Sequence, residues 1–449
     1  MSGSPADSLL LPPRTRLLHI GPMKTGTTSL QAAAHARRKI LLEHGVRYPG
    51  HWFNHRRELG ALMGWSVSTW RRTGPLDPDL FETDDPSMTT RPSGIPPRSE
   101  WDRLKSEIDA DQTRRILITH EFLSQADDAT ARRIVDAIGD PIHVSLTLRA
   151  PGAIVPSLWA QGIRDEARTI SFDDWLGRLY GGDPDGPISA RTARAYDQGQ
   201  LVQRWARLVG PENVTVVVVN KSDPDLLTGS FEAMLGLPPG TLKWRNTNRS
   251  LSATDAELFR QVNAVLRERG ADWRTFYGLV WKGAIRLGPE RREPMPDEPR
   301  VLLPPWAGER ASEDGRRFAE EIRDSGVRVA GNLDDLAAPT RTIDRGTTDE
   351  IPMPIAADSL AAALLAGQEL RRRFEDQYDS RIRRIAELEQ QLDAERSSGL
   401  ALRAKRIPSN QRADQLAAAF GIADLMAALT RRVLRSLRTG TAVRRHARR

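Results

Sequence analysis

Apolar runs in this chain are short and widely spaced, and several stop at a glycine or a polar residue. Arg16-Leu-Leu-His-Ile20 ends at Gly21 and reads as a buried strand. The next eight residues, Gly21-Pro-Met-Lys-Thr-Gly-Thr-Thr28, form a turn rich in glycine and hydroxyl groups. From Ser29 to about Glu43, Leu30, Ala33, Ala34, Ile40 and Leu41 fall at helical spacing. Further along, the pattern predicts helices at 101–110, 131–138, 153–166 and 201–208. It predicts strands at Arg115–Thr119, 143–148 and 214–219, the last being the clearest. Four apolar strands alternating with helices predict an α/β fold, three layers with a central parallel β-sheet flanked by helices.

Two stretches depart from that rhythm. Residues 72–100 are rich in Pro, Asp, Thr and Ser and read as a long excursion, a lid or an insert. After about residue 340 the chain becomes a polar, proline-containing linker at 341–356. Residues 357–396 then carry Leu360, Leu364, Leu370, Phe374, Tyr378, Ile382, Ile385, Leu388 and Leu392 amid charges of both signs. That spacing predicts a long amphipathic helix with a short coiled coil, an element for packing or homo-oligomerisation. Arg406-Ile-Pro-Ser-Asn410 breaks it, and a last helix follows at 411–438. The expected division is therefore a catalytic domain at 14–340, a linker at 341–356 and a helical extension at 357–449.

Charge changes this picture less than the totals suggest. The 449 residues hold 66 Lys and Arg against 59 Asp and Glu, a net +7. Residues 431–449 alone supply eight arginines and no acid, so the remainder holds 58 basic against 59 acidic groups. A nucleic-acid-binding body is not expected. The arginines flank Leu425, Leu429, Val433, Leu434 and Leu437, a basic amphipathic helix suited to peripheral contact with an anionic membrane face. No run approaches the ~18 apolar residues of a membrane span, and the N-terminus lacks the pattern of a secretory leader. Cysteine is absent, which excludes a disulfide scaffold, thiolate metal sites and a cysteine nucleophile. A cytoplasmic protein is expected, at most peripheral at the inner membrane face.

The chemistry concentrates in the first turn. Gly21 and Gly26 keep the spacing of a P-loop, G-x-x-x-x-G-K-[ST], but Thr27 stands where that lysine belongs and the lysine sits earlier, at Lys24. Backbone N–H groups at the start of the following helix still make an anion cradle, and Thr25, Thr27 and Thr28 add hydroxyl donors. No acidic residue at a strand end suggests itself for magnesium. A second element lies at Leu148-Arg149-Ala-Pro-Gly-Ala-Ile-Val-Pro-Ser157, where an arginine closes a strand and a serine follows eight residues later.

Together these motifs resemble the sulfotransferases that use 3′-phosphoadenosine 5′-phosphosulfate (PAPS), in their bacterial branch. Pro22, Met23, Lys24, Thr25, Gly26, Thr27 and Thr28 resemble the family's 5′-phosphosulfate loop, and Arg149 with Ser157 its 3′-phosphate site. Asn246-Thr-Asn248-Arg249-Ser250 resembles a loop that closes over the nucleotide, and 306–336 the end of the domain. The resemblance covers about 14–340. One departure is Ser29, where cytosolic members carry a tryptophan against the adenine.

The resemblance implies a P-loop-type fold and transfer of a sulfuryl group from PAPS to a hydroxyl or amine, without a metal. Lys24 would stabilise the leaving 5′-phosphate oxygen, and Arg149, Ser157 and Arg249 would hold the 3′-phosphate. The acceptor would be a carbohydrate, a glycolipid or a small metabolite. Three residues stand as the base: Glu121 first, then His120, then His55. Two rival readings remain open at this point: a nucleoside or small-molecule kinase built on the same loop, and a non-catalytic membrane scaffold built on the C-terminal helices. His19 reads as a packed core histidine, and Trp159, Trp175 and Trp205 as core. Gln161 and Arg164 share the helix face of Ser157.

Overall fold

The computed structural model describes residues 9–65, 74–76, 94–181, 188–220, 222–243, 251–289, 298–344, 346–348 and 350–397. Most of the 72–100 stretch, the loop holding Arg249, the helix expected at 411–438 and the arginine tail lie outside the described residues.

Six parallel strands form one sheet: β1 (Arg16–Ile20), β2 (Val46–Arg47), β3 (Arg115–Thr119), β4 (Ile142–Leu148), β5 (Val214–Val218) and β6 (Arg328–Ala330), in the order β2-β3-β1-β4-β5-β6. The order reverses at β1, the strand that carries the glycine loop. That is the switch point at which open α/β sheets bind ligands.

Strand alternation divides the core into two layers. Leu18, Ile20, Ile116, Ile118, Val144, Leu146, Leu148, Val216 and Val218 pack with Ile134, Trp205 and Phe318 on one face. Leu17, Leu117 and Val217 pack with Leu30, Ala34, Phe231 and Met234 on the other. The helices involved are α1 (Thr27–Ala36), α2 (Arg38–Glu43), α3 (Arg56–Met63), α4 (Arg98–Ala110), α5 (Asp128–Ile138), α6 (Pro151–Glu166), α7 (Phe172–Leu179), α8 (Ala190–Tyr196), α9 (Gln198–Val209), α10 (Leu226–Leu235), α11 (Ala253–Glu268) and α12 (Pro305–Asp324). A satellite core gathers Trp159, Phe172, Trp175, Phe259, Trp273 and Phe276 around α6, α7 and α11. Trp159, Trp175 and Trp205 are fully buried.

The helix expected over 29–43 starts two residues earlier, at Thr27, and breaks at Arg37, whose backbone N–H bonds to Ala34 O. The last described helix, α13 (Met353–Ser397), begins inside the first compact unit, which ends at Gly367. Ile355, Ala362 and Ala366 are buried there, and Gly283 of the π-helical segment Phe276–Ile285 lets Ala366 approach: a Cβ at position 283 would lie 2.6 Å from its methyl. The second unit starts at Gln368, and its described part exposes Phe374, Tyr378 and Ile382. No described helix is long and apolar enough to cross a membrane.

Candidate active site

The loop between β1 and α1 rests on a buried polar ladder. His19 Nδ1 bonds Thr119 Oγ1 at 2.8 Å and His19 Nε2 bonds Thr147 Oγ1 at 3.1 Å. Thr147 Oγ1 in turn meets Thr25 Oγ1 at 2.9 Å, and Thr25 Oγ1 donates to Pro22 O at 2.7 Å. Burial holds His19 far below its usual range, to about 3, so the imidazole is neutral and one ring nitrogen donates while the other accepts. The ladder ties three neighbouring strands to the underside of the loop. Gly21 leaves room for it. A Cβ there would stand 2.6 Å from Thr27 Oγ1 and 2.7 Å from Thr25 Oγ1, and closer still to Thr147 Oγ1.

Two residues of the loop take left-handed backbone. Gly26, the N-cap of α1, has φ 94°, where glycine carries no penalty. Lys24 has φ 72°, which costs a residue with a Cβ about 1–3 kcal/mol. These turns set the loop over the first N–H groups of α1, which have no partner within the helix. Thr27 Oγ1 is buried and unbonded, a donor left over inside the cradle.

Arg149 follows β4 and reaches the same loop. Its Nη1 donates to Lys24 O at 3.2 Å. Gln198, the first residue of α9, pins its backbone from both sides: Arg149 N donates to Gln198 Oε1 at 3.2 Å, and Gln198 Nε2 donates to Arg149 O at 2.8 Å. Burial lowers Arg149 from its usual range, yet a guanidinium stays charged. Burial also brings Lys24 down to about 8, with Arg164 and Arg149 adding to the fall and Asp165 and Glu121 opposing it. Ser157 lies two turns into α6, one turn beyond Ala153 on the same helix face. Gln161 Nε2 donates to Met23 Sδ at 3.2 Å, which fixes α6 to the loop.

The three base candidates sit differently. His55 is fully engaged with backbone: its Nε2 bonds Pro49 O at 3.1 Å and its Nδ1 accepts from Thr119 N at 3.1 Å. Burial lowers it to about 4, so it is a neutral staple between the loop after β2 and the end of β3. His120 is buried as the cap of the 3₁₀ turn Glu121–Gln125, and its Nδ1 accepts from Phe122 N at 3.4 Å. Burial, then the charges of Arg56 and His55, hold it well below its usual range. Glu121 opens the turn within the electrostatic reach of Lys24. Burial raises its carboxyl and Asp165 adds to that, against Arg56 and Lys24.

Asp165 supplies the contrast. Burial works against its charge, but Arg164 holds it through bonds of 2.8 and 2.9 Å and Trp281 Nε1 donates at 2.9 Å, so its carboxyl falls below the usual range. The environments of the two carboxyls thus push them in opposite directions, Asp165 down and Glu121 up. Arg56 lies 4.7 Å over the Phe122 ring, and its buried Nε has no hydrogen-bond partner.

Beside the loop, a cleft of about 1030 Å³ opens at the carboxyl ends of β4 and β5, lined by Arg149, Ala153, Val219, Asn220, Arg300 and Arg341 among others. The apolar side chains toward it are aliphatic, Val219, Leu302 and Ile343. Among the described residues, no group of three or more His, Asp or Glu is placed to hold a metal ion. Arg249 lies outside the described residues.

The structure therefore brings Pro22–Thr28, Arg149 and Glu121 to one edge of the sheet, and leaves His120 and His55 buried behind it. Thr147, Gln198, Asp165 and Arg56 were not anticipated. Thr147 had a signal: with His143 and Ser145 it makes β4 alternate polar and apolar residues, and all of them are buried. Gln198 had none, because its partner is 49 residues away.

No family model matches the chain, and no curated protein matches it. A solved sulfotransferase from Alicyclobacillus acidocaldarius matches 57% of this chain and 94% of its own length, at 19% identity and a TM-score of 0.35. At that distance the likeness is noted, and no residue's role is carried across it.

Proposed function

We propose that this protein is a PAPS-dependent sulfotransferase, with the chemistry in residues 14–340. The observation that carries the reading is the hydrogen bond from Arg149 Nη1 to Lys24 O. It holds Arg149 against the backbone of the loop that carries Lys24, which supports a reading in which both serve one bisphosphorylated nucleotide. Two further features fit such a ligand: the buried, unbonded Thr27 Oγ1 and a cleft with arginines among its lining residues.

Bound PAPS supplies an activated sulfuryl group on its 5′-phosphate. The chain's part is to position and neutralise, as in phosphoryl transfer. The N–H groups of α1 and the hydroxyls of Thr27 and Thr28 hold the 5′-phosphate, while the Thr25 hydroxyl, spent on Pro22 O and Thr147, braces the loop from beneath. Lys24 takes up the charge that develops on its bridging oxygen as the sulfur–oxygen bond breaks. Glu121 receives the proton of the acceptor hydroxyl as the new sulfur–oxygen bond forms, and 3′,5′-bisphosphoadenosine departs. Burial raises the Glu121 carboxyl, which favours its taking up a proton. Arg149 and Ser157, with Arg249, hold the 3′-phosphate.

The acceptor is a carbohydrate, a glycolipid or a small metabolite. Residues 368–397, with Phe374, Tyr378 and Ile382 exposed, are assigned to self-association rather than chemistry. Isothermal titration tests the donor. Tight binding of 3′,5′-bisphosphoadenosine without magnesium is expected, and preference for ATP with magnesium would replace this reading with a kinase. Mass spectrometry of an extract incubated with labelled PAPS identifies the acceptor.

A further inference from the structure

Charged side chains from several elements gather around Glu121, and one of them is unspent. Arg56 is the first residue of α3, and its root is fixed. Arg56 N donates to Asn54 Oδ1 at 3.2 Å, and His55, one residue earlier, is stapled to Pro49 O and Thr119 N. The guanidinium lies 4.7 Å over the ring of Phe122, the residue after Glu121. Its charge interacts with Glu121, with Asp165 near the end of α6 and with Tyr277 of the π-helical segment. Glu121 is in turn within the electrostatic reach of Asp165 and Lys24. Arg56 and the ammonium assigned to the donor therefore both lie near one carboxyl group.

What sets Arg56 apart is an unused guanidinium. Its Nε is buried without a partner, and its side chain makes no hydrogen bond or ion pair with a described residue. Arg38, Arg57 and Arg168 also bury an unbonded Nε, but each spends another nitrogen, on Trp52 O, Glu100 and Glu166 respectively. The two carboxyls nearby do not take Arg56 up. Asp165 is held by Arg164 and by Trp281 Nε1. Glu121 interacts with the charge of Arg56 but forms no ion pair with it. Stacking on a ring serves the face of a guanidinium and leaves its N–H edge unpaired. That edge matches an oxyanion, which accepts two parallel bonds from the fork. Arg56 as a whole is half-buried, so a ligand can reach it.

Resting on the function proposed above, we infer that Arg56 binds an anionic group of the acceptor, a carboxylate or a phosphate ester, while Glu121 meets the hydroxyl that takes the sulfuryl group. The acceptor then carries negative charge before transfer, as a sugar acid or a sugar phosphate does, and a neutral glycan is a poor substrate. Donor and acceptor are both anions, and separate cations hold them: Lys24 and Arg149 the nucleotide, Arg56 the acceptor. The charge of Arg56 also offsets the repulsion that an anionic acceptor meets beside Glu121 and Asp165.

The test starts from the labelled products that the full-length protein makes from PAPS in an extract of its source organism. Mild acid removes the transferred sulfate, and anion exchange with mass spectrometry then reads the charge and formula of what remains. A desulfated acceptor that is still anionic is expected, its formula distinguishing a carboxyl from a phosphate ester. A neutral one overturns the inference and leaves the sulfotransferase reading intact. A native protein that transfers no label counts against that reading itself, and the inference falls with it. With the purified acceptor, Arg56→Gln is expected to raise KM about tenfold or more while kcat changes far less, and Arg56→Lys to recover part of the loss. Methyl esterification or phosphatase treatment of the acceptor separates binding from mere support of the fold. On the neutralised acceptor the native protein is expected to behave like Arg56→Gln, and the variant to be indifferent to the change. Equal losses from Arg56→Gln on both forms of the acceptor overturn the inference. Circular dichroism verifies that the variants are folded. Should they fail to fold, the native protein decides alone: a KM for the neutralised acceptor about tenfold higher supports the inference, and an unchanged KM overturns it.

Discussion

Lys24 combines a strained backbone, a buried ammonium and contact with the arginine across the site, and each has a measurable consequence. Its φ of 72° and its fall to about 8 both cost folding energy, and a bound anion would offset the second. Lys24→Ala is expected to lower single-turnover transfer by at least about a hundredfold, the order seen when one charge-stabilising donor is removed, with the circular dichroism spectrum unchanged. The pH dependence has a definite sign. The folded protein releases the Lys24 proton near pH 8, below the ordinary lysine value of 10.5. Affinity for 3′,5′-bisphosphoadenosine is therefore expected to drop toward tenfold per pH unit above 8, and Lys24→Arg to remove that break. The free protein responds the other way. Between about pH 8 and 10.5 the unfolded chain binds more protons at this position, so the stability contribution of Lys24 rises with pH. Gly21 makes a third prediction at this scale. A methyl group there would press on three hydroxyls, so Gly21→Ala is expected to cost about 1–3 kcal/mol of stability, read as a lowered midpoint of denaturant unfolding.

At the scale of elements, what the sequence reveals follows from length and locality. β1, β3, β4 and β5 run five to seven residues, long enough for an apolar run to stand out. β2 and β6 have two and three residues, too short for any period, and the sheet completes them by lending hydrogen bonds at its edges. The break at Arg37 leaves no mark, because 29–43 keeps helical spacing straight through it. The glycine loop, Arg149 and Glu121 were legible as ends of apolar strands, where α/β folds place chemistry. The same reasoning could not separate Glu121 from its neighbours. His120 and His55 are as polar as any ligand group; the bonds to Pro49 O and Thr119 N occupy both ring nitrogens of His55 with backbone, while His120 gives only its Nδ1, to Phe122 N. The start of α13 is a further case of tertiary contact invisible to periodicity. Its amphipathic pattern predicts an element for packing or self-association without naming the partner, and Gly283 accepts Ala366 at close range. Gly283→Val is expected to lift that end of the helix away, and limited proteolysis should then cut within 353–367, where the native protein resists.

Taken as a whole molecule, the chain places its candidate site within the unit that ends at Gly367, and the position of that end is testable. A chain stopped at residue 340 loses Arg341 from the cleft, the bridge between Leu303 and Thr342, and the buried start of α13, with Ile355 and the approach of Ala366 to Gly283. Burying one isoleucine side chain alone is worth about 1.5–3 kcal/mol. A chain stopped at 367 keeps all three. Ligand linkage supplies the readout: at a hundredfold excess over its dissociation constant, a ligand specific to the folded state stabilises it by about 2.7 kcal/mol, which for a unit of this size raises the melting midpoint by a few degrees. The 1–367 chain is expected to show the same rise with 3′,5′-bisphosphoadenosine as the full-length protein, with or without magnesium. The 1–340 chain is expected to melt lower and to rise less. Equal behaviour of the two truncations would mean that neither residues 341–343 nor the first turns of α13 support the site, and would confine the nucleotide to the glycine loop, Arg149 and their immediate neighbours.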